Sequence, residues 1–385
     1  MESPFIYNKY VTGKNFVGRK GDVTILSNLI AQHENIVLYA PPKSGKMSAV
    51  QQAIYEMRLG HKDIFVAEVS FVDIRDLGAL VRRLGDGILR AVASTGEEYA
   101  ELVRTCLPGT HFVFDEERYG SFDEILSLNW DLDRDDVLAL LRLPYRIAEA
   151  RQMPLVVILD EFQNLDFLED PDTFYKDFES VIREMRAAPQ PPPVSFVFLG
   201  SRVNAMKEIF RHRHYFHRLV TVYTLSPIDE REIKDSVQRA FMLSGKVIDG
   251  DLLLGVCRRF RNNIWYIMHF MAICDRLSKG YIMENVLAEA FQMQISLHEP
   301  RFMAAMYDLT NYQVQLLRAV VEGHTRFSSA EVIQRYGLNS SANVKRLKEA
   351  LMKKEILTFD ENDDPVILDP LFAYWVTTRY FHLKD

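Results

Sequence analysis

The stretch "NIVLYAPPKSGKMSAVQQAI" (residues 35–54) decides the architecture. An apolar run of strand length, Ile36 to Tyr39, meets a Pro-rich turn, and a helical pattern follows Lys46. Strand, glycine-bearing loop and helix form the arrangement in which backbone N–H groups turn inward on phosphate. The helix adds its positive N-terminus and a lysine reaches the terminal phosphates. Gly45 and Lys46 hold the two functional positions of the loop, and Pro42, Lys43, Ser44, Met47 and Ser48 complete the candidate binding segment. Ala40 replaces the usual first glycine, a mild change. Met47 is the more serious departure. Magnesium there expects a serine or threonine hydroxyl, and a thioether is a poor ligand for a hard cation. Ser48 offers a hydroxyl one residue on, turned about 100° around the helix axis.

Working outward, apolar runs alternate with helical periodicities. IFVAEVSF (64–71), LVVILD (155–160), VSFVFLG (194–200) and LVTVYTL (219–225) read as strands; 73–93, 135–151 and 173–186 read as helices. Continuous apolar runs suit strands buried on both faces, so the first half predicts an α/β fold, a parallel sheet with helices on both faces. The stretch 94–134 fits no repeating unit and reads as an insertion or lid-like excursion. LVVILD ends in Asp160, placed to hold magnesium through water, and Glu161 follows, placed to polarise an attacking water. VSFVFLG ends at Ser201, where a polar side chain can sense a γ-phosphate. Three strand-end elements in this order make a nucleotide site with ATP or ADP, and Mg2+, as the expected cofactors. Asp166 and Glu169 read as solvated loop charges.

After residue 225 the strand signal stops. DEREIKDSVQRAFML (229–243) opens a run of helices to about 305, an all-helical lid. Then LTNYQVQLLRAVVEG starts behind Thr310 and stops at Gly323; SSAEVIQRYG and SSANVKRLKEALMKKEIL carry serines where caps are needed. An acidic turn, DENDDP, parts two short apolar runs. Three helices and a hairpin predict a winged helix-turn-helix. The expected domains are therefore 1–225, a P-loop NTPase domain; 226–305, the lid; and 306–385, the winged helix.

On these residues the sequence resembles the AAA+-type ATPases with a C-terminal winged helix, in the STAND branch near the archaeal origin-recognition initiators. The motifs are "NFVGRKGDVTILSNLI" (15–30), "APPKSGKMS", "ILDEFQNL", "FLGSRVNAMKEIF", "HRLVTVYTLSPIDERE", "LTNYQVQLLRAV" and "LDPLFAYWV", spanning nearly the whole chain in the family's order. The resemblance implies that Phe16, Val17, Gly18 and Arg19 lie beside the adenine and that Arg218 is the arginine placed before the last strand to meet a γ-phosphate, in trans if the protein is an oligomer. It also exposes a second departure: Arg-Asn-Asn-Ile-Trp-Tyr (261–266) stands where the family commonly has a Gly-x-Pro turn. With Met47, this makes nucleotide binding a firmer expectation than hydrolysis.

Composition bounds the rest. Apolar residues at 48% and charged residues at 26% are those of a folded, soluble chain, and no run of eighteen apolar residues predicts a membrane span. Cys106, Cys257 and Cys274 have neither disulfide nor zinc spacing, which suits a reducing, cytoplasmic location, and MESPFIYNKYV does not read as a secretory signal. A net charge of −7 gives no global attraction to nucleic acid. The basic run FRHRHYFHR (210–218) reads as a solvated helix face, and WYIMHFMAIC (265–274), with His269, as core filling. The winged helix has two readings. Lys345, Arg346 and Lys348, with Lys353 and Lys354, suit DNA, whereas Asp360, Glu361, Asp363 and Asp364 on the wing repel phosphate and suit a protein partner. A nucleotide switch, a non-hydrolysing scaffold and a DNA-binding regulator are the competing functions; no nuclease is expected.

Overall fold

In the computed structural model, which describes residues 3–384, Ile36–Tyr39 forms the first strand (β1) of a five-stranded parallel sheet. The others are Phe65–Ser70 (β2), Leu155–Asp160 (β5), Val194–Gly200 (β6) and Thr221–Tyr223 (β7); between them Phe112–Phe114 (β3) and Leu126–Leu128 (β4) make a separate antiparallel pair. The sheet order is β2-β5-β6-β1-β7. Leu155 to Leu159 and all of β6 are buried, as their continuous apolar runs require. The register, with Tyr39 beside Gly200 and Ser70 beside Asp160, brings the carboxyl ends of β1, β5 and β6 to one edge. That edge is where open parallel sheets take ligands.

This sheet belongs to a unit made of Lys20–Ala40 and Ala49–Leu225. Its core is rich in phenylalanine: Phe162 meets Phe198 edge-on at 4.8 Å between ring centroids, and Phe178 meets Phe196 at 5.0 Å. Such pairs are worth about 0.5–1.5 kcal/mol each beyond their buried area. The stretch 94–134 departs from the lid-like reading. Helix Gly96–Cys106, held by a capping box between Thr95 and Glu98, buries Tyr99, Leu102, Val103 and Cys106 in the same core as the sheet, and the β3–β4 pair adds Phe112 and Leu126. Helical spacing of apolar residues, obscured in the sequence by intervening acids, makes it a packed insertion.

The other unit gathers the residues before Lys20, Pro41–Ser48, and everything from Ser226 onward. Its lid helices are Glu230–Leu243, Gly250–Arg259, Ile264–Leu277 and Glu284–Tyr307, tied by a two-residue parallel pair, Val247–Ile248 (β8) with Tyr281–Ile282 (β9). His269 is packed as expected, stacked 4.5 Å from Tyr7. The winged helix follows: Asn311–Val321 behind a Thr310–Gln313 capping box, Ala330–Tyr336 ending at left-handed Gly337, Ser341–Lys353 capped by Ser340, and an antiparallel wing of Leu357–Phe359 (β10) and Pro365–Ile367 (β11). A last helix, Pro370–Trp375, continues into a π-helical turn. Among the described residues, no helix is long and apolar enough to cross a membrane.

Candidate functional site

In the sheet unit, the chain leaves β1 at Ala40, whose amide donates to the Gly200 carbonyl at 3.3 Å, so Ser201 lies at the neighbouring strand end. Gly200 has no room for a side chain: a Cβ would meet the Met206 thioether and the Gln163 amide oxygen at 2.5–2.6 Å. Asp160 closes β5, with its carbonyl accepting the Phe71 amide. Glu161 then takes a left-handed conformation, φ 55°, which turns its side chain to β6. Its Oε2 accepts the Ser201 hydroxyl at 2.6 Å and the Gln163 amide at 2.6 Å. Two of the expected catalytic residues are thus joined directly. Arg218 sits on an exposed left-handed turn, φ 62°, and is joined to neither among the described hydrogen bonds.

The basic run before it is less solvated than its sequence suggests. Arg213 is half-buried and bridges Asp166 at 2.5 Å and Asp172 at 3.1 Å, and the Tyr175 hydroxyl also donates to Asp166. Asp166 is therefore an ion-pair partner in a structural cluster, a correction to its reading as a loop charge; the partner lies 47 residues on, beyond any local pattern.

In the other unit, the phosphate loop is fixed from several sides. Gly45 has φ 85°, and a Cβ there would lie 3.1 Å from Arg19 Nη1. The left-handed φ is what calls for glycine, while the Arg19 contact is tight. Helix Lys46–Leu59 starts directly behind it, so the helix N-terminus faces the loop as a phosphate site requires. Lys46 is buried, and its ammonium donates to the Pro41 carbonyl at 3.2 Å. Arg19, from the Phe16–Arg19 motif, donates to the Ser44 carbonyl at 2.8 Å and to the Ser226 carbonyl at 2.9 Å. Gly18 cannot carry a side chain, since a Cβ would strike Glu232 and Ile228 at 2.7 Å. Ser48 is engaged elsewhere: its hydroxyl accepts the Val11 amide at 3.2 Å.

The residues present fit a nucleotide phosphate better than they fit its metal. Ser44 Oγ is buried with no hydrogen-bond partner among the described residues, in the middle of the loop, which is the mark of a group awaiting a ligand. Met47, half-buried, offers only sulfur.

Lys43 has a role the sequence did not reveal. Its ammonium lies 3.5 Å from the centroid of the Trp265 ring, a cation–π contact worth about 0.5–2 kcal/mol. Burial, then the charge of Arg301, lowers its pKa, while Asp369 raises it. The Trp265 N–H donates to the Tyr7 carbonyl at 2.5 Å. The adjacent Tyr266 hydroxyl bonds both carboxylate oxygens of Asp369 at 2.8–2.9 Å, and Arg301 donates to the same carboxylate at 2.7 Å. Asp369 in turn caps the last helix of the winged domain through the Leu371 and Phe372 amides. Beside them, burial and then Arg301 and Lys43 push the His298 pKa down to about 4, so this imidazole is neutral at physiological pH. The Arg-Asn-Asn tract makes its turn with Arg261 and Asn262 both left-handed, φ 49° and 56°, and Asn263 capping the helix that carries Trp265. The signal for Trp265 was its position in place of the Gly-x-Pro turn; its partner could not be read from spacing.

On the winged helix, Lys345 and Arg346 are exposed. Lys348 is held by the wing, 2.9 Å from an Asp363 oxygen and 3.8 Å from the Phe359 ring centroid.

Comparison with known proteins agrees with this architecture. A family described as "Probable winged helix domain" matches residues 300–378. No curated protein matches the chain. Among solved structures, the chain is similar to the Walker-type ATPase PABY2304 of Pyrococcus abyssi, with 14% identity, a TM-score of 0.67, and 96% of this chain and 99% of that one covered. It is also similar to the ORC2 protein of Aeropyrum pernix, in its ADPNP–ADP complexes (11% identity, TM-score 0.59, 93% of each chain) and its ADP form (12% identity, TM-score 0.56, 96% and 93%). The chain has the fold of a P-loop AAA+-type ATPase followed by a winged helix.

Proposed function

We propose that this chain is a STAND-type nucleotide switch in which ATP or ADP at residues 42–48, with Phe16–Arg19 beside the base, sets the placement of the winged helix. The observation that carries the reading is the contact between Lys43 and Trp265. A phosphate-loop cation rests on the lid residue whose neighbour, Tyr266, holds Asp369 at the start of the last winged-domain helix. An anion in the loop competes with the Trp265 ring for the Lys43 ammonium, and the ring's position bears on Tyr266 and Asp369. The orphaned Ser44 hydroxyl and the nucleotide complexes of the similar Aeropyrum protein support occupancy by ATP or ADP. A bound magnesium ion would supply charge balance on the phosphates. Asp160 is the residue to hold it, Glu161 the one to orient water, Ser201 the polar group for the γ-phosphate, and Arg218 a further γ-phosphate ligand in an oligomer. Because Met47 supplies no hydroxyl and Ser48 is engaged by Val11, turnover is slow. Isothermal titration calorimetry of ATP with wild type and Lys46→Ala tests the reading. Saturable binding lost in the variant supports it; no wild-type binding, or binding equal in both, ends it.

For the winged helix a protein partner is favoured over DNA. Lys348 is drawn to Asp363, and Asp360, Glu361 and Asp364 are exposed on the same wing, where a phosphate backbone would meet repulsion. The free, buried cysteines suit a cytoplasmic setting.

A further inference from the structure

Distinct from the phosphate loop's own residues, the lid and the winged helix line an open pocket of about 730 Å³. Its walls come from the end of helix Gly250–Arg259 and the turn after it, the end of helix Asn311–Val321, strand β11, and helix Pro370–Trp375 with its π-helical continuation. Three arginines face it, Arg258, Arg259 and Arg261, and none of its lining residues is acidic. The opposite wall is apolar and aromatic, including Val321, Val366 and Tyr374.

The arginines are placed in three different ways. Arg259 is stacked, its guanidinium carbon 4.7 Å from the Tyr374 ring centroid and 5.8 Å from that of Phe291. Arg261 is set by its left-handed backbone and by a bond from Nη1 to the Ile367 carbonyl at 3.2 Å. Arg258 is mostly exposed, and its nearest carboxylate, Glu230, lies 3.9 Å away, beyond hydrogen-bond reach. Two guanidiniums are thus oriented by protein contacts, and the third is exposed beside them. A volume of this size exceeds what an inorganic anion fills and falls within the usual range of small-molecule sites. Planar, multiply donating guanidiniums are matched to phosphate oxygens, and an aromatic wall is matched to the body of an organic ester.

We infer that this cavity is a second anion site that binds a phosphorylated small molecule, with the phosphate on Arg258 and Arg261 and the organic part against Tyr374. Such a ligand touches the lid through its arginines and the winged helix through β11 and Tyr374, so its binding fixes the wing to the lid. A nucleic-acid backbone offers the same phosphate chemistry; the small-molecule volume and the Tyr374 ring beside the arginines favour the compact ligand.

The test uses the full chain carrying Lys46→Ala, which removes the phosphate loop's lysine, and titrates it calorimetrically with inorganic pyrophosphate and with AMP. One saturable site is expected, with AMP binding more tightly than its single phosphate alone accounts for because of the aromatic wall. Adding Arg258→Gln, which alters an exposed side chain and leaves the fold intact, weakens both probes at least tenfold; Arg261→Gln does the same. Failure of ATP to bind wild type would sink the proposed switch without touching this site, since the background already lacks Lys46. Absence of saturable binding, or binding that neither arginine substitution changes, overturns the inference. So does tight binding of a short DNA duplex that depends on these arginines and that pyrophosphate and AMP do not displace.

Discussion

Ser201 donates its hydroxyl proton to Glu161 across 2.6 Å, linking the ends of two neighbouring strands. Gln163 binds the same oxygen. Ser201→Ala removes the polar group proposed to meet the γ-phosphate and one of the two donors to Glu161, so slow phosphate release falls with little change in ATP affinity. Glu161→Gln lowers that release by about 10²-fold, the scale of losing a general base. Steady-state phosphate release by the two variants decides the matter; an unchanged rate in Glu161→Gln removes Glu161 from the chemistry.

Met47→Thr supplies the missing hydroxyl at the second residue of helix Lys46–Leu59. The loop amides, the helix N-terminus and Lys46 are untouched, so ATP affinity without metal stays within about threefold. Magnesium-dependent turnover rises by about tenfold or more, corresponding to about 1.4 kcal/mol of barrier. A wild type already as fast as Met47→Thr would show that the thioether is tolerated and would favour some other metal ligand.

Much of this arrangement was legible in the sequence because its signals are local. A strand run, a left-handed glycine and a helix start fit within twenty residues, and the Thr310, Ser329 and Ser340 caps fall where the winged-helix pattern placed them. What the sequence withheld is long-range pairing. Asp166 meets Arg213, Lys43 meets Trp265, and Tyr266 meets Asp369, all separated by more than forty positions. Nor does periodicity show that the acid-rich stretch after residue 94 packs into the sheet's core, since its buried positions are interleaved with Glu97, Glu98 and Glu101.

Asp369 joins two jobs, capping helix Pro370–Trp375 and receiving both Tyr266 and Arg301. Asp369→Ala removes the cap and leaves the largely buried Tyr266 hydroxyl without its acceptor. The combined cost is on the order of 2–4 kcal/mol. Tyr266→Phe keeps the cap and loses the hydroxyl's bond to Asp369 and the one it accepts from Arg301, about 1–2 kcal/mol. Urea unfolding, with both variants compared against wild type, measures the difference; equal losses in the two would mean that the cap contributes nothing and that the bond to Tyr266 is the whole effect.

His111 and Asp136 give the sheet unit a pH dependence whose sign follows from their geometry. Asp136 is buried, receives the amides of His111 and Asp133, and lies 2.9 Å from His111 Nδ1; Asp133 stands 3.7 Å from the same nitrogen. These three are the cluster of metal-type side chains among the described residues, yet the capping-box bond from the Asp133 amide and the bond from the His111 amide already engage one Asp136 oxygen each. The hydrogen bond to Asp136 raises the His111 pKa against the opposing effect of burial, aided by the charges of Asp136, Asp133 and Asp131. For Asp136, burial opposes ionisation, but the backbone bonds from His111 and Asp133 and the His111 side chain outweigh it and lower the pKa. A histidine with a raised folded pKa stabilises fully below its unfolded value, about 6.5, and loses that contribution as pH rises through the folded value. An aspartate with a lowered folded pKa stabilises above its unfolded value, about 3.9, and loses the contribution as pH falls through the folded one. The pair is thus at full strength between about pH 4 and 6.5. The melting temperature of His111→Ala should fall furthest below wild type near pH 5–6 and approach it by pH 8.5. A gap of constant size from pH 5 to 8.5 would mean that His111 acts there as a neutral donor, with its charge playing no part.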